Sequence, residues 1–333
     1  MPYQMVMLLR RASPFLLTAL LWLLPPQPQS HAWGFFAHRS INRLAVFTLP
    51  PEMIGFYKSR IEYLTVQATR PDSRRTVVAG EAPRHFIDLD VYGDSAAYKL
   101  PRSYADAVAR FGEDSLLRHG IVPWHVARMK GQLTEAFRTR DAERIISLSA
   151  DLGHYIADAC VPLHTTRNYN GQLTNQRGIH GLWESRLPEL LATGYDFFTG
   201  PAPYLEYPTG TIWATVARSN AAVDSVLRFE SELTRKLPAD RKYSYEERNG
   251  HTSRVYSQEF SREYHQRLSG QVERQMRLAA RLTGAFWYTC WVDAGQPDLN
   301  HMPRLTEAQM RQLALQAQQE QTAPATDTHG HVD

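Results

Sequence analysis

The spacing of apolar positions along the chain predicts a helical protein. Apolar residues recur every three or four positions over long stretches, which is the period of a helix with one buried face. Stretches of this kind are 36–48, 51–66, 103–118, 122–139, 141–159, 180–193, 208–236 and 255–293. Runs that alternate apolar and polar residues, as strands do, are scarce. The pattern therefore predicts an all-α fold, a multi-helix bundle.

Three stretches interrupt this pattern and are rich in Pro, Gly, Asn and Asp, which is typical of loops. They are 70–102, 165–179 and 195–207. The first of them is long for a segment without secondary structure, and loops of that length usually carry function. We therefore expect functional residues within 70–102.

The two ends of the chain differ from the middle. Arg10 and Arg11 precede an apolar run at 15–24, and PPQPQSHA follows it, which is the pattern of a secretory signal. The run is short for a membrane span, and a retained anchor helix is the alternative. The predicted organisation is a signal peptide over 1–32, one all-α domain over 33–297 and a disordered, Gln- and Thr-rich tail over 298–333. The mature chain is expected to be periplasmic or secreted, without a permanent membrane span.

Composition and charge narrow the function classes. The 333 residues carry a formal net charge of +3, and two of the positive charges, Arg10 and Arg11, belong to the predicted signal peptide. The remaining net charge is too small to indicate a protein that binds nucleic acid through a basic surface. A nuclease whose bound metal ions supply the positive charge stays possible. Cys160 and Cys290 are the two cysteines; a disulfide and two buried thiols are both open.

Two histidine–carboxylate pairs stand out on the predicted helices. His154 and Asp158 are four residues apart, as are His180 and Glu184, so each pair shares one helix face. His164 lies between the pairs. Imidazole and carboxylate are the usual ligands of Zn²⁺. A single pair favours a buried contact that fixes helix packing, but two pairs around a third histidine favour a metal site.

The order of motifs resembles that of the zinc-dependent phospholipase C and S1/P1 nuclease superfamily. The motifs WGFFAHRSINRLA, PDSRR, PRHFIDLD, LGHYIADACVPLH and IHGLWES follow one another in the family's order over 33–185. The resemblance implies an all-α bundle with a three-zinc cleft. It also implies that the protein is a zinc-dependent hydrolase of phosphate diesters that uses zinc-activated water.

The resemblance also implies a ligand set for three zinc ions. The first ion would be held by Asp72, His85, His154 and Asp158. Asp158 would bridge to a second ion, which His38 and the α-amino and carbonyl groups of Trp33 would hold. The third ion would be held by His164, His180 and Glu184. Asp72 is in addition the candidate catalytic base.

The substrate is less well defined than the metal site. Glu184 is the phospholipase-like residue at its position, where the nucleases usually have aspartate, so a phospholipase C-like activity is the leading hypothesis. An S1/P1-type single-strand nuclease and 3′-nucleotidase is the alternative, and a non-catalytic periplasmic zinc-binding protein is a second one. The substrate would be a phospholipid or a nucleic-acid or nucleotide phosphodiester, and no stable protein partner is expected.

Four further residues are candidates for supporting roles. Arg74 and Arg84 are candidate phosphate partners because guanidinium matches phosphate geometry, although a solvated basic loop explains them equally well. Asn168 partly matches a stretch of the nucleases and is a candidate substrate-binding residue. Asp88 is expected either to orient His85 or to form a turn.

Overall fold

The structure is a computed structural model, and it describes residues 34–75, 77–248, 251–302, 306–312 and 315. The described part is mostly helical, which confirms the predicted all-α class. The predicted signal peptide and Trp33 lie outside the described residues, as does most of the predicted tail. Leu299 and Met302, at the start of that tail, are buried. Within the described ranges, no helix combines the length and apolarity needed to cross a bilayer.

The helices follow the predicted pattern with several interruptions. The longer α-helices are Phe35–Val46, Pro51–Lys58, Ile61–Gln67, Arg70–Arg74, Tyr104–Phe111, Glu113–His119, Val122–Arg138, Ala142–Ala159, Leu187–Leu191, Pro208–Ala221, Val223–Lys236, Gln258–Arg267 and Gln271–Asp293. Short α-helical turns are Ala96–Lys99, Ile179–Gly181 and Ala239–Lys242. The 3₁₀ turns are Ala82–His85, Leu89–Tyr92, Pro162–Thr165 and Ala192–Gly194, and Leu182–Arg186 is a π turn.

Four helices form the centre of the core. Phe35–Val46, Val122–Arg138, Ala142–Ala159 and Gln271–Asp293 pack against one another through their apolar faces. Trp287 is fully buried, and its indole Nε1 donates to the carbonyl oxygen of Ser149 at 3.1 Å, so even the polar atom of this core residue is satisfied.

The cysteines, whose pairing the sequence leaves open, are both buried free thiols. Cys160 follows the Ala142–Ala159 helix, and Cys290 lies in the Gln271–Asp293 helix. Burial raises the pKa of the Cys290 thiol to about 12, so this thiol stays protonated at neutral pH.

The helix predicted over 255–293 is wrong at its start, where residues 255 and 256 belong to the second strand of a β-hairpin. Strand Tyr243–Arg248 pairs antiparallel with strand His251–Tyr256. The following helix begins only at Gln258, because the Ser257 hydroxyl accepts from the amide of Phe260 at 3.1 Å and caps it.

The hairpin is attached to the segment that carries Glu184. Arg186 donates through Nη1 to Glu246 Oε2 at 2.8 Å and through Nε to the carbonyl oxygen of Tyr256 at 3.2 Å. Glu246 and Tyr256 belong to the two different strands. Arg186 therefore fixes both strands to the π turn.

The 70–102 stretch contains a short helix that is clamped onto the Ala142–Ala159 helix. Arg70 donates to both oxygens of Asp151, at 3.0 Å through Nε and 2.6 Å through Nη2, and Arg74 donates to Asp151 at 3.2 Å through Nη1. Such bidentate guanidinium–carboxylate contacts are among the stronger polar interactions in proteins. Since Asp72 lies between the two arginines, the clamp sets its position beside His154.

A close approach between two helices sets the relative position of His38 and His154. The Asn42 amide donates to the carbonyl oxygens of Leu64 and Ala150, at 3.2 and 3.0 Å. Gly153 makes room for this side chain, since a Cβ built there would lie 2.0 Å from Asn42 Oδ1. His38 is one turn from Asn42, and His154 is one turn from Ala150, so the contact aligns the two histidines.

We expect Gly153→Ala to destabilise the protein. Overpacking of this kind costs roughly 1–3 kcal/mol, whereas alanine at an open helical position is more stable than glycine by about 1 kcal/mol. Gly131→Ala is the matched control, because nothing lies within 4 Å of a Cβ built at that helical position. Chemical denaturation should show a lower free energy of unfolding for the first variant and an equal or higher one for the second. Stabilisation by both substitutions would contradict the close approach.

Candidate metal centre

The described residues include eight of the nine predicted ligands, and the structure brings all eight together. Three groups have ligand atoms within 4.8 Å of one another: His38, His154 and Asp158; Asp72, His85 and His154; and His164, His180 and Glu184. The first two groups share His154. Trp33, the ninth predicted ligand, lies outside the described residues.

Four side chains face one point between the Ala142–Ala159 helix and the 70–102 stretch. Asp158 Oδ2 lies 2.9 Å from His85 Nδ1 and 3.1 Å from His154 Nε2. Asp72 Oδ1 lies 3.7 and 3.6 Å from the same two nitrogen atoms. The ligands of a tetrahedral zinc ion, with bonds of about 2 Å, lie roughly 3.3 Å apart. These four side chains therefore have the spacing of one metal site.

The second oxygen of Asp158 faces a different histidine. Asp158 Oδ1 lies 3.5 Å from His38 Nε2, whose ring stacks on that of His154 at 3.9 Å between centroids. Asp72 Oδ2 is 4.0 Å from the same His38 nitrogen. His164 Nδ1 also lies 3.4 Å from Asp158 Oδ1. The two oxygens of Asp158 are thus turned towards different imidazoles, Oδ1 towards His38 and His164 and Oδ2 towards His85 and His154, which is the arrangement of a bridging carboxylate.

The third group is compact and lies next to the first two. His180 Nε2 lies 3.0 Å from His164 Nε2 and 3.0 Å from Glu184 Oε2, and the His164–Glu184 distance is 3.5 Å. The sequence predicts His180 and Glu184 on one α-helix. The structure instead places Glu184 in a π turn, a feature that often occurs at functional sites, and the two side chains still meet.

Main-chain carbonyl groups orient two of the histidines. His154 Nδ1 lies 2.8 Å from the carbonyl oxygen of Ala68, and His164 Nδ1 lies 2.9 Å from that of His85. A carbonyl oxygen only accepts hydrogen bonds, so each Nδ1 carries the hydrogen. Each Nε2 therefore points into the cluster, where it can bind a metal once it carries no proton.

Electrostatic interactions keep the carboxylates of Asp158 and Glu184 ionised. Burial alone would raise the pKa of Asp158, but His154 and His164 hold it well below its ordinary value. Burial likewise opposes ionisation of Glu184, but His180 and His164 lower its pKa. The pKa of His154 would be lowered by burial, yet Asp158 and Asp72 raise it to about 9. The site thus concentrates buried negative charge next to imidazoles.

Several carboxylate oxygens of the cluster have no hydrogen-bond donor among the described residues. These buried atoms are Oδ1 and Oδ2 of Asp72, Oδ1 of Asp158 and Oε2 of Glu184. A buried carboxylate oxygen without a donor is costly, and a bound cation removes that cost. The donor set of imidazoles and carboxylates suits Zn²⁺, so these residues fit the metal that the sequence resemblance implies.

The three candidate substrate-binding residues contact other parts of the protein. Arg74 donates to Tyr155 at 3.2 Å, and Arg84 donates to Glu81 at 2.6 Å. Asn168 donates to Thr174 and accepts from the amide of Leu173, both in its own loop. A role in substrate binding stays a prediction for Arg74, Arg84 and Asn168.

Asp88 lies against His119 rather than against the free edge of His85. Its Oδ2 is 3.3 Å from His119 Nδ1, and burial raises the pKa of Asp88 to about 7. The carboxylate that faces the second ring nitrogen of His85 belongs to Glu81. Glu81 and the clamp residue Asp151 are not among the residues predicted from the sequence; each precedes a predicted histidine ligand, by four and three residues.

Fold and site together define a helical protein with a candidate multinuclear metal centre. No protein-family model and no curated protein matches the chain. Among solved structures, it is similar to the alpha-toxin of Clostridium perfringens from the avian strain SWCP, with 12% identity, a TM-score of 0.45, and coverage of 82% of this chain and 66% of the toxin. It is also similar to the alpha-toxin of Clostridium absonum, with 12% identity, a TM-score of 0.44, and coverage of 83% and 67%.

The chain thus spans about two thirds of the length of each toxin. At this identity and TM-score the likeness assigns no activity, and the chemistry of the site depends on the residues described above.

Proposed function

We propose that this protein is an exported, zinc-dependent hydrolase of phosphate diesters of the phospholipase C type. The observation that carries the proposal is the placement of Asp158. One of its buried carboxylate oxygens faces His38 and His164, and the other faces His85 and His154. A neighbouring group of two histidines and one glutamate adds a further site of the same chemistry.

Bound zinc would supply an activated water and polarise the phosphoryl group at neutral pH. The residues of the chain then have distinct tasks. Asp158 would hold two cations and offset part of their charge. Asp72, held in place by the Arg70 and Arg74 contacts to Asp151, is the candidate base that orients the attacking water and accepts its proton. His164, His180 and Glu184 would hold a further cation, whose charge would stabilise negative charge that develops during the reaction.

We test the proposal by measuring metal content and substrate preference together. Purified mature protein is expected to contain zinc and to hydrolyse phosphatidylcholine or another phospholipid. Single-stranded DNA and 3′-AMP are assayed alongside, at equal protein and metal concentration. Hydrolysis of the nucleotide substrates alone would assign the nuclease activity instead, and bound zinc without any hydrolysis would assign a non-catalytic zinc-binding protein.

Chelation should also destabilise the fold. Zinc binds the folded state, and at a free concentration 1,000 times the dissociation constant one site contributes about 4 kcal/mol. We expect a clear drop in melting temperature on adding a strong chelator, reversed by excess zinc. The protein could instead purify without zinc and have the same melting temperature whether or not zinc is added. That result would show that the histidine–carboxylate pairs only stabilise the packing of the fold.

A further inference from the structure

His85 is oriented differently from the other histidines of the cluster. It presents Nδ1 to Asp158 and His154, so its Nε2 points away from the candidate metal position. His154 and His164 use main-chain carbonyl groups to hold their outer nitrogen. The group that faces the outer nitrogen of His85 is a side chain, Glu81, whose Oε1 lies 3.7 Å away.

Glu81 is fully buried and is itself held firmly. Tyr155 donates its hydroxyl to Glu81 Oε1, and Arg74 donates to the same oxygen at 3.3 Å. Arg84 donates to the other oxygen, Oε2, at 2.6 Å. Burial opposes ionisation of Glu81, but His85, Arg74 and Arg84 lower its pKa, so the side chain is an anion.

We infer that Glu81 is a positioning residue for the zinc ion proposed above, acting through His85. Its carboxylate faces the hydrogen on Nε2, which leaves the Nδ1 lone pair free for the metal. The 3.7 Å separation is an electrostatic contact, and His85 Nε2 is buried without a hydrogen-bond partner among the described residues, so Glu81 is the anion that faces it. A carboxylate in this place fixes the tautomer and ring orientation and makes the imidazole a better ligand.

The three donors to Glu81 explain why a buried carboxylate can serve here. Without them, its charge would be too costly in the interior. Tyr155 also lies edge-on to the His85 ring, with 5.3 Å between centroids, so one side chain contacts both partners. The network therefore links the Ala142–Ala159 helix to the segment that carries His85.

Glu81→Gln is the direct test of this inference, which rests on the proposed zinc site. Removal of such a partner typically weakens metal affinity by about 10–100-fold. We expect a loss of that size when the apoprotein is titrated with zinc against a chelating dye. Cobalt substitution should show an altered visible spectrum, because the ring of His85 is less well oriented.

Glu230→Gln is the matched control. Glu230 is also a fully buried glutamate, but it pairs with Lys242 at 2.8 Å and belongs to none of the three ligand groups. This variant should lower stability with little change in the zinc affinity of the site. Equal losses of zinc affinity in both variants would show that Glu81 acts only through the stability of the fold.

A double-mutant cycle with His85→Ala separates positioning from general destabilisation. If Glu81 acts through His85, Glu81→Gln should cause no further loss of zinc affinity in the His85→Ala background. If Glu81→Gln does not fold, Tyr155→Phe removes one donor to Glu81 and should weaken zinc binding by several-fold. Wild-type affinity in the folded variants overturns the inference, whereas a wild-type protein that binds no zinc overturns the proposed function itself.

Discussion

Asp158→Asn is expected to abolish most of the hydrolytic activity and to lower the zinc content by more than one ion per chain. The two oxygens of Asp158 face two separate sets of imidazoles, so a neutral amide in this place leaves two cations without their shared anion. Metal ions contribute several kcal/mol to the stabilisation of a phosphoryl transition state, so turnover should fall by roughly 100-fold or more. Zinc is measured by mass spectrometry on protein dialysed against metal-free buffer.

Asp88→Asn provides a control for the loss of a buried aspartate. Asp88 is buried but contacts His119, outside the three ligand groups. Its replacement should leave zinc content and turnover close to those of the wild type. An Asp158→Asn protein that keeps its zinc and its activity would rule out the bridging role.

Glu184→Gln is expected to release a single zinc ion and to reduce turnover by roughly 100-fold, since one of the metal contributions to the transition state is lost. Glu184 Oε2 lies 3.0 Å from His180, and the group contains no other carboxylate. The remaining imidazoles of His164 and His180 cannot offset the charge of a cation. The ligand groups around Asp158 should keep their metal, so the loss in zinc content is smaller than in Asp158→Asn.

Glu230→Gln is the corresponding control for a buried glutamate. Glu230 is fully buried and pairs with Lys242 at 2.8 Å, far from any of the ligand groups in sequence. This variant should lose stability and keep its zinc. If Glu184→Gln and Glu230→Gln have the same zinc content as the wild type, the group of His164, His180 and Glu184 does not bind metal.

The convergence of the eight described candidate ligands could be predicted in part because the spacing of some of them reflects local geometry. A residue and its fourth neighbour share a helix face, and that rule alone pairs His154 with Asp158. For His180 and Glu184 the rule predicts the contact correctly although the backbone there forms a π turn. The other candidate ligands follow from the order of motifs. They include His38 and Asp72, which are distant in sequence and which no helical period connects to the others.

The apolar pattern does not predict the hairpin, because the strands are short and polar. In the sequence, Asn249–Gly250 stands between them, a dipeptide favoured in two-residue hairpin turns, but the helical pattern on either side is the stronger signal. The sequence does not predict Glu81 and Asp151 for another reason. Their roles depend on arginines and a tyrosine from other segments, and the sequence does not show which charges meet in three dimensions.

The hydrogen bonds from His154 and His164 to carbonyl groups have a consequence for how the sequence can change. Every amino acid has a main-chain carbonyl, so no single substitution at position 68 can delete the acceptor that orients His154. Substitutions at the acceptor positions therefore leave the orientation of these two rings unchanged as long as the backbone keeps its path. The orientation of His85 depends on a side chain instead, so one nucleotide change at the Glu81 codon can alter it.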